Sequence, residues 1–356
     1  MKKAAVILLI FVLAVGMFAL APAAMDRDEA NQLCDEILSM ELPRLRNFQL
    51  PNGAIPMYDI RGGGQSKLTP YFSCSAALGL LAGGDTEAAG RYILWHFAHL
   101  EGAGTIYDYT IRVEDGEITE IPSYDYDSVD SYAALFLILL DEYAKAGGDR
   151  ALIGAHAEDI ARVVAAMDGV RQWGLTYAKP DYKVFYLMDN CEVAAGYRAA
   201  ASLWGMLGNS RRALWCGLQA CCVRLAVNLR LWNCRADSYD YALRNPSDPA
   251  VFYPGAAAQL FPVAFGLISP ASGRARRLYE GFLAGQPQWL EGHNGGDYPW
   301  AILARAVLAM GDTDTAAEYL LAVKGFYMDG GASGRWYCQE SGLAVWAAAR
   351  LRGMDT

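Results

Sequence analysis

Five short stretches of this chain say nearly the same thing: LLAGGDTEAA, AKAGGDRALI, GMLGNSRRAL, LISPASGRAR and AMGDTDTAAE. Each stops a helical pattern on Gly or Pro and restarts it on Asp, Asn or Ser, residue types whose side chains cap the free N–H groups of the next helix. Recurrence at roughly 45–60 residues marks one supersecondary unit used repeatedly. The periodicity predicts a first helix at 27–47 and a last at 338–352. Between them it predicts pairs at 70–83 with 86–100, 128–147 with 150–173, 190–207 with 210–232, 254–268 with 272–285 and 298–311 with 313–327. Pairing the last helix with the first gives twelve helices in six hairpins.

The members of a pair differ in kind. The first is apolar all round, as in YFSCSAALGLLAGG and CEVAAGYRAAASLW, and the second carries charge on one face, as in TEAAGRYILWHFAHLEG. A helix apolar on every side is an inner one and an amphipathic helix is a skin. The expected fold is therefore all-α: an (α/α)6 barrel of six helical hairpins, with an open solenoid of hairpins as the alternative. Long aromatic connections between hairpins, TIYDYTIRVEDGEITEIPSYDYD and LTYAKPDYKVFYL, alternate in a way that predicts short β-hairpins at one mouth.

Composition fits a large packed interior, with 54% hydrophobic and 19% charged residues. Residues 1–24 begin with Lys2 and Lys3 and continue as an apolar run to Ala21, the pattern of a secretory signal or, uncleaved, of a membrane anchor; residues 25–356 are read as a single barrel domain. Export to a secreted or cell-envelope location follows from that reading. The net charge of −9 argues against nucleic acid and anionic lipid as partners, whereas a neutral glycan meets no such objection. Eight cysteines in an exported chain raise the question of disulfides. Several fall within apolar helical patterns, as buried thiols do, and Cys222 with Cys234 is the nearby pair to watch. No Cys or His grouping has metal-site spacing, so neither metal nor cofactor is expected.

In a closed barrel of hairpins the inner helices run one way, and their N-termini meet at one mouth. Those starts read TPYFSCSA, YDYDSVDSY, YLMDNCEVAAG, FYPGAAAQLF, HNGGDYPWAI and WYCQESGLAVW, and nearly all bring an acid, an amide or an aromatic pair. Asp127 taken alone is an ordinary N-cap. The recurrence of acids and rings at one concave end describes a carbohydrate pocket.

With these residues in place, the chain resembles the six-hairpin glycosidase superfamily, which includes glucoamylases, trehalases and the glucosidase part of glycogen debranching enzymes. The resemblance is architectural over the mature chain and rests on two short segments, YDSVDSYAALFL and YLMDNCEVAAGYRAA. It implies a glycoside hydrolase, commonly inverting, in which one carboxylate protonates the leaving oxygen and another activates water. By that resemblance Asp189 is the general acid with Glu192 beside it, and Glu340, the carboxylate of the last inner helix, is the base. A trehalase-like register instead puts Arg335 where the base stands, and water activation then passes to another acid such as Asp297 or Asp127. Asp127, Asp130, Tyr126, Tyr71, Asp297, Trp300, Arg335, Trp336 and His293 are the expected sugar-binding residues, with Trp289 in the same mouth loop as His293. Two other readings keep the barrel: a sugar lyase or epimerase, and a non-catalytic glycan-binding protein.

Overall fold

The computed structural model describes residues 25–293, 299–329 and 333–354. The apolar segment before Met25, and Asp297, lie outside the described residues. The helices are α1 (Arg27–Phe48), α2 (Pro70–Ala82), α3 (Thr86–Ala98), α4 (Asp130–Lys145), α5 (Arg150–Ala155), α6 (Ala157–Gly169), α7 (Leu187–Met206), α8 (Ser210–Arg230), α9 (Phe261–Ala264), α10 (Gly273–Gly285), α11 (Ala304–Met310), α12 (Thr313–Val323) and α13 (Cys338–Arg352). The sequence-predicted hairpins are all present. The second splits its outer member into α5 and α6. In the fourth, the inner member is an irregular run from Phe252 to Ala264, in which Tyr253 has extended dihedrals and α9 is only the last turn.

The stop-and-restart turns work as their residues dictate. Gly84, Gly147, Gly208 and Gly311 have positive φ, and Asp85, Asp149, Asn209, Ser272 and Asp312 each accept a hydrogen bond from a backbone N–H in the next helix.

The inner helices form a closed ring. α2 packs on α4, α4 on α7, α7 on α9, α9 on α11, α11 on α13 and α13 back on α2, while α1 covers α13 from outside. This is the (α/α)6 barrel, and ring closure decides against the open solenoid. Small residues let the inner backbones touch. A Cβ on Gly79 of α2 would stand 2.4 Å from the Gly342 carbonyl oxygen of α13, and one on Gly196 of α7 would stand 2.6 Å from the Ala134 Cα of α4. One continuous apolar cluster fills the space between inner and outer layers.

At one end the long connections build the mouth. β1 (Gly64–Leu68), β2 (Tyr109–Glu114) and β3 (Glu117–Pro122) make an antiparallel sheet in the order β1-β2-β3, with Lys67 opposite Thr110. The hairpin expected in TIYDYTIRVEDGEITEIPSYDYD is β2 with β3, and β1 joins it to make a three-stranded sheet. The LTYAKPDYKVFYL segment is less regular: β4 (Arg171–Gln172) pairs with β5 (Leu175–Thr176), followed by a single bridge between Lys179 and Tyr182. All eight cysteines are free thiols; Cys222 and Cys234 are exposed and unbonded, and Cys34, Cys74, Cys191, Cys216 and Cys338 are buried.

Candidate active site

A cavity of about 280 Å³ opens at the mouth, and the starts of all six inner helices reach it. Tyr71 comes from the first, Asp127 and Tyr132 from the second, Asp189 and Glu192 from the third, Tyr253 from the fourth, Trp300 from the fifth and Gln339 from the sixth. Shared helix direction is what gathers residues so far apart in sequence into one concave surface.

The carboxylates divide by depth. Asp127 is exposed on the cavity wall, before α4 begins. The cap position of α4 is Val129, which has no side-chain cap; Ser128 Oγ instead accepts from Ser131 N at 3.2 Å. Asp127 is therefore not an N-cap. Asp130 is buried behind the wall, where its Oδ1 accepts from Ser128 Oγ at 2.6 Å and Ser131 N at 2.9 Å, and its Oδ2 has no partner. Burial raises its pKa.

Asp189 and Glu192 sit one turn apart in the first two turns of α7 and both line the cavity. Burial of the Asp189 carboxyl, with Asp130, Glu192 and Asp127 nearby, raises its pKa well above the usual carboxylate range. A carboxyl whose proton affinity is raised and that still faces a cavity is suited to donate a proton. Glu192 is pushed up to about 8 by burial, partly offset by the Tyr71 hydroxyl, which donates to its Oε1 at 2.5 Å, and by the Arg305 guanidinium. That guanidinium lies over the Phe265 ring at 5.0 Å and the Trp346 ring at 4.7 Å.

Aromatic rings supply the rest of the wall. Tyr253 and Trp300 lie 4.9 Å apart, and Phe252 sets its edge against Trp300 at 5.7 Å. Trp300 occupies the left-handed region at φ 60°, a strained conformation for a bulky residue that tends to mark a functional site. A polar chain closes the other side: Lys67 Nζ pairs with Asp108 Oδ2 at 2.9 Å, and the Tyr132 hydroxyl donates to Asp108 Oδ1 at 2.9 Å.

Other expected residues lie elsewhere. Glu340 is fully buried and is not on the cavity wall; its Oε2 accepts from Ala301 N at 2.8 Å, its Oε1 has no partner, and burial raises it to about 7. Its neighbour Gln339 is the residue of α13 that reaches the cavity. Trp336 is buried against Tyr327 and donates from its indole nitrogen to Glu41 at 2.8 Å, which makes it a packing residue of the α1–α13 hairpin. Arg335 is exposed at the end of a short 3-10 turn, Ser333–Arg335, away from the wall. His293 pairs with Glu291 at 3.3 Å, also off the wall, and Trp289 is wholly buried against Tyr319. Tyr126 stacks on Tyr107 at 6.0 Å beside the mouth. Lys67 and Asp108 line the cavity without any sequence signal to announce them; Phe72, Tyr132 and Tyr253 stood in the quoted helix starts unselected. Among the described residues no group of three or more His, Cys, Asp or Glu side chains could hold a metal ion.

No family model matches this chain, and no curated protein matches it. Solved structures do. A glycosidase in complex with glucose superposes with a TM-score of 0.67 at 14% identity, covering 92% of this chain and 98% of its own. A rhamnosidase from Klebsiella oxytoca with rhamnose bound gives 0.63 at 14% identity, over 91% of this chain and 64% of that one. An uncharacterized conserved protein from Thermus thermophilus gives 0.59 at 13% identity, over 89% and 99%. The likeness is in the fold, over nearly the whole described chain.

Proposed function

We propose that this chain is an exported glycoside hydrolase, inverting in mechanism, with Asp189 as general acid and Asp127 as the carboxylate that activates water. One observation carries the reading: Asp189 faces a ring-lined cavity while burial, with Asp130, Glu192 and Asp127 nearby, raises its proton affinity. The glycosidase and rhamnosidase structures of like fold support a carbohydrate substrate.

In this reading a sugar ring enters the mouth and packs against Tyr253 and Trp300, whose flat faces suit the apolar side of a pyranose. Asp189 gives its proton to the glycosidic oxygen as the bond to the anomeric carbon breaks. Asp127, exposed on the same cavity, takes a proton from the water that attacks that carbon from the other face. Inversion asks for about 6.5–9.5 Å between the two carboxyl groups, room enough for that water. Glu192, one turn along α7 and held by the Tyr71 hydroxyl, lines the cavity beside Asp189 and orients the sugar against it. The buried Glu340, bonded to the Ala301 backbone, supports the fifth helix start that carries Trp300.

The test is release of new reducing ends from a panel of neutral and acidic glycans. The wild type is expected to release them, and Asp189→Asn and Asp127→Asn each to abolish release. A folded wild type that binds glycans and cleaves none would overturn the hydrolase reading.

A further inference from the structure

Outer helix α8 (Ser210–Arg230) has two apolar faces where a skin helix needs one. Its inner face, with Cys216, Ala220, Val223 and Val227, is buried in the barrel. Facing outward are Leu214, Trp215, Leu218, Leu225 and Leu229, between 47% and 72% exposed, and the thiols Cys221 and Cys222. On a helical wheel Leu214, Leu218, Cys221, Leu225 and Leu229 fall within a band of about 80°, and the stripe runs for about 24 Å. Trp173, 56% exposed, extends it: the adjoining Gly174 lies against α8, where a Cβ would stand 2.9 Å from Ala226 Cβ.

The charge on this helix is equally one-sided. The charged residues of α8 are Arg211, Arg212, Arg224 and Arg230, with no acid among them, on a chain whose net charge is −9. Arg212 turns toward Glu158 and Trp204. Arg211, Arg224 and Arg230 are exposed and make no ion pair among the described residues. A two-fold dimer through this face would bring the arginines of one copy against a helix that carries arginines and no acid, so a second copy of the chain is a poor occupant. A leucine stripe with exposed tryptophans and arginines at its margins suits the boundary between lipid headgroups and acyl chains, with the arginines drawn to anionic lipid.

We propose that the outward face of α8, with Trp173, binds an anionic lipid surface. Whole-chain charge speaks against such a partner; the arginine-only helix provides a local exception and fixes which side approaches. The contact is independent of the reading of the cavity.

The test places a polarity-sensitive fluorophore on Cys222 of the full chain, with Cys221→Ser and Cys234→Ser so that Cys222 is the exposed thiol. Vesicles of phosphatidylcholine with phosphatidylglycerol are expected to shift its emission to the blue, and phosphatidylcholine alone is not. Leu218→Gln with Leu225→Gln removes the shift, and Arg211→Gln with Arg224→Gln weakens binding roughly 10–30-fold. A local probe is needed because residues 1–24 could bring the chain to vesicles while α8 stays in water. No shift with either vesicle, or equal shifts with both, would overturn the proposal. So would a shift that follows protein concentration without lipid and accompanies dimers in sedimentation, which would assign the face to a second copy.

Discussion

The Tyr71 hydroxyl donates a 2.5 Å hydrogen bond to Oε1 of Glu192, tying the first inner helix to the third across the cavity. Around that bond the site holds more acid than it can solvate, and its proton affinities follow.

Stability should fall as pH rises through 7–8. Burial lifts Glu192 to about 8 and Glu340 to about 7, from about 4.5 for a free carboxyl. Over that window the folded chain keeps protons that the unfolded chain has lost, so the stability present below pH 4.5 is lost as pH passes the folded values. Buried His96, lowered from 6.5 to about 3, works at the other end: stability is lost as pH falls below 6.5. Melting temperature measured from pH 6.5 upward isolates the carboxylate limb. It should decline in the wild type and decline less in Glu192→Gln.

The acid and the base separate by leaving group. Asp189→Asn should slow cleavage of glycosides with basic leaving alcohols by about 10²–10⁴-fold, while aryl glycosides with acidic phenols lose much less. Asp127→Asn should slow both kinds alike, since each needs water activated. Turnover of paired alkyl and aryl glycosides measures the difference; equal losses in Asp189→Asn would remove it from the acid role.

Glu340 offers a contrast. Glu340→Gln retains an oxygen that accepts from Ala301 N and relieves a buried carboxyl, so turnover should stay within about tenfold of the wild type. Glu340→Ala strips that N–H of its partner and should cost about 1–3 kcal/mol in a denaturant melt. Loss of all turnover in Glu340→Gln would return the base to α13, where the family resemblance puts it.

Closure of the ring depends on Gly79. A Cβ there would stand 2.4 Å from the Gly342 carbonyl oxygen and 2.5 Å from its Cα, backbone atoms that cannot swing aside. Gly79→Ala should destabilise by about 3 kcal/mol, and chemical denaturation would measure it. Gly281→Ala, on the outer face of α10 with open space around it, is the control and should be neutral or better.

The hairpins and the mouth were legible because their signals are local. Gly84 followed by Asp85, or Gly208 followed by Asn209, stops one helix and caps the next whatever lies across the barrel. An all-round apolar α2 and a charge-faced α3 state which is inside. From those facts alone the helix starts, with Asp127, Asp189 and Tyr71, are brought to one end. What local pattern could not decide is which side chains enter the cavity. Asp127 and Asp130 share a spacing of three, yet α4 begins only at Asp130, so one is on the wall and the other behind it. Glu340 and Gln339 are adjacent, and the packing of α13 turns the glutamine inward. Trp336 finds Glu41 in α1, and Lys67 finds Asp108 beyond a whole hairpin. The sequence by itself determined helix ends and buried faces, which nearest neighbours control through caps, φ preferences and apolar periodicity. The tertiary structure decided the site, because side-chain direction at a helix start depends on where each helix begins and on partners from the rest of the ring.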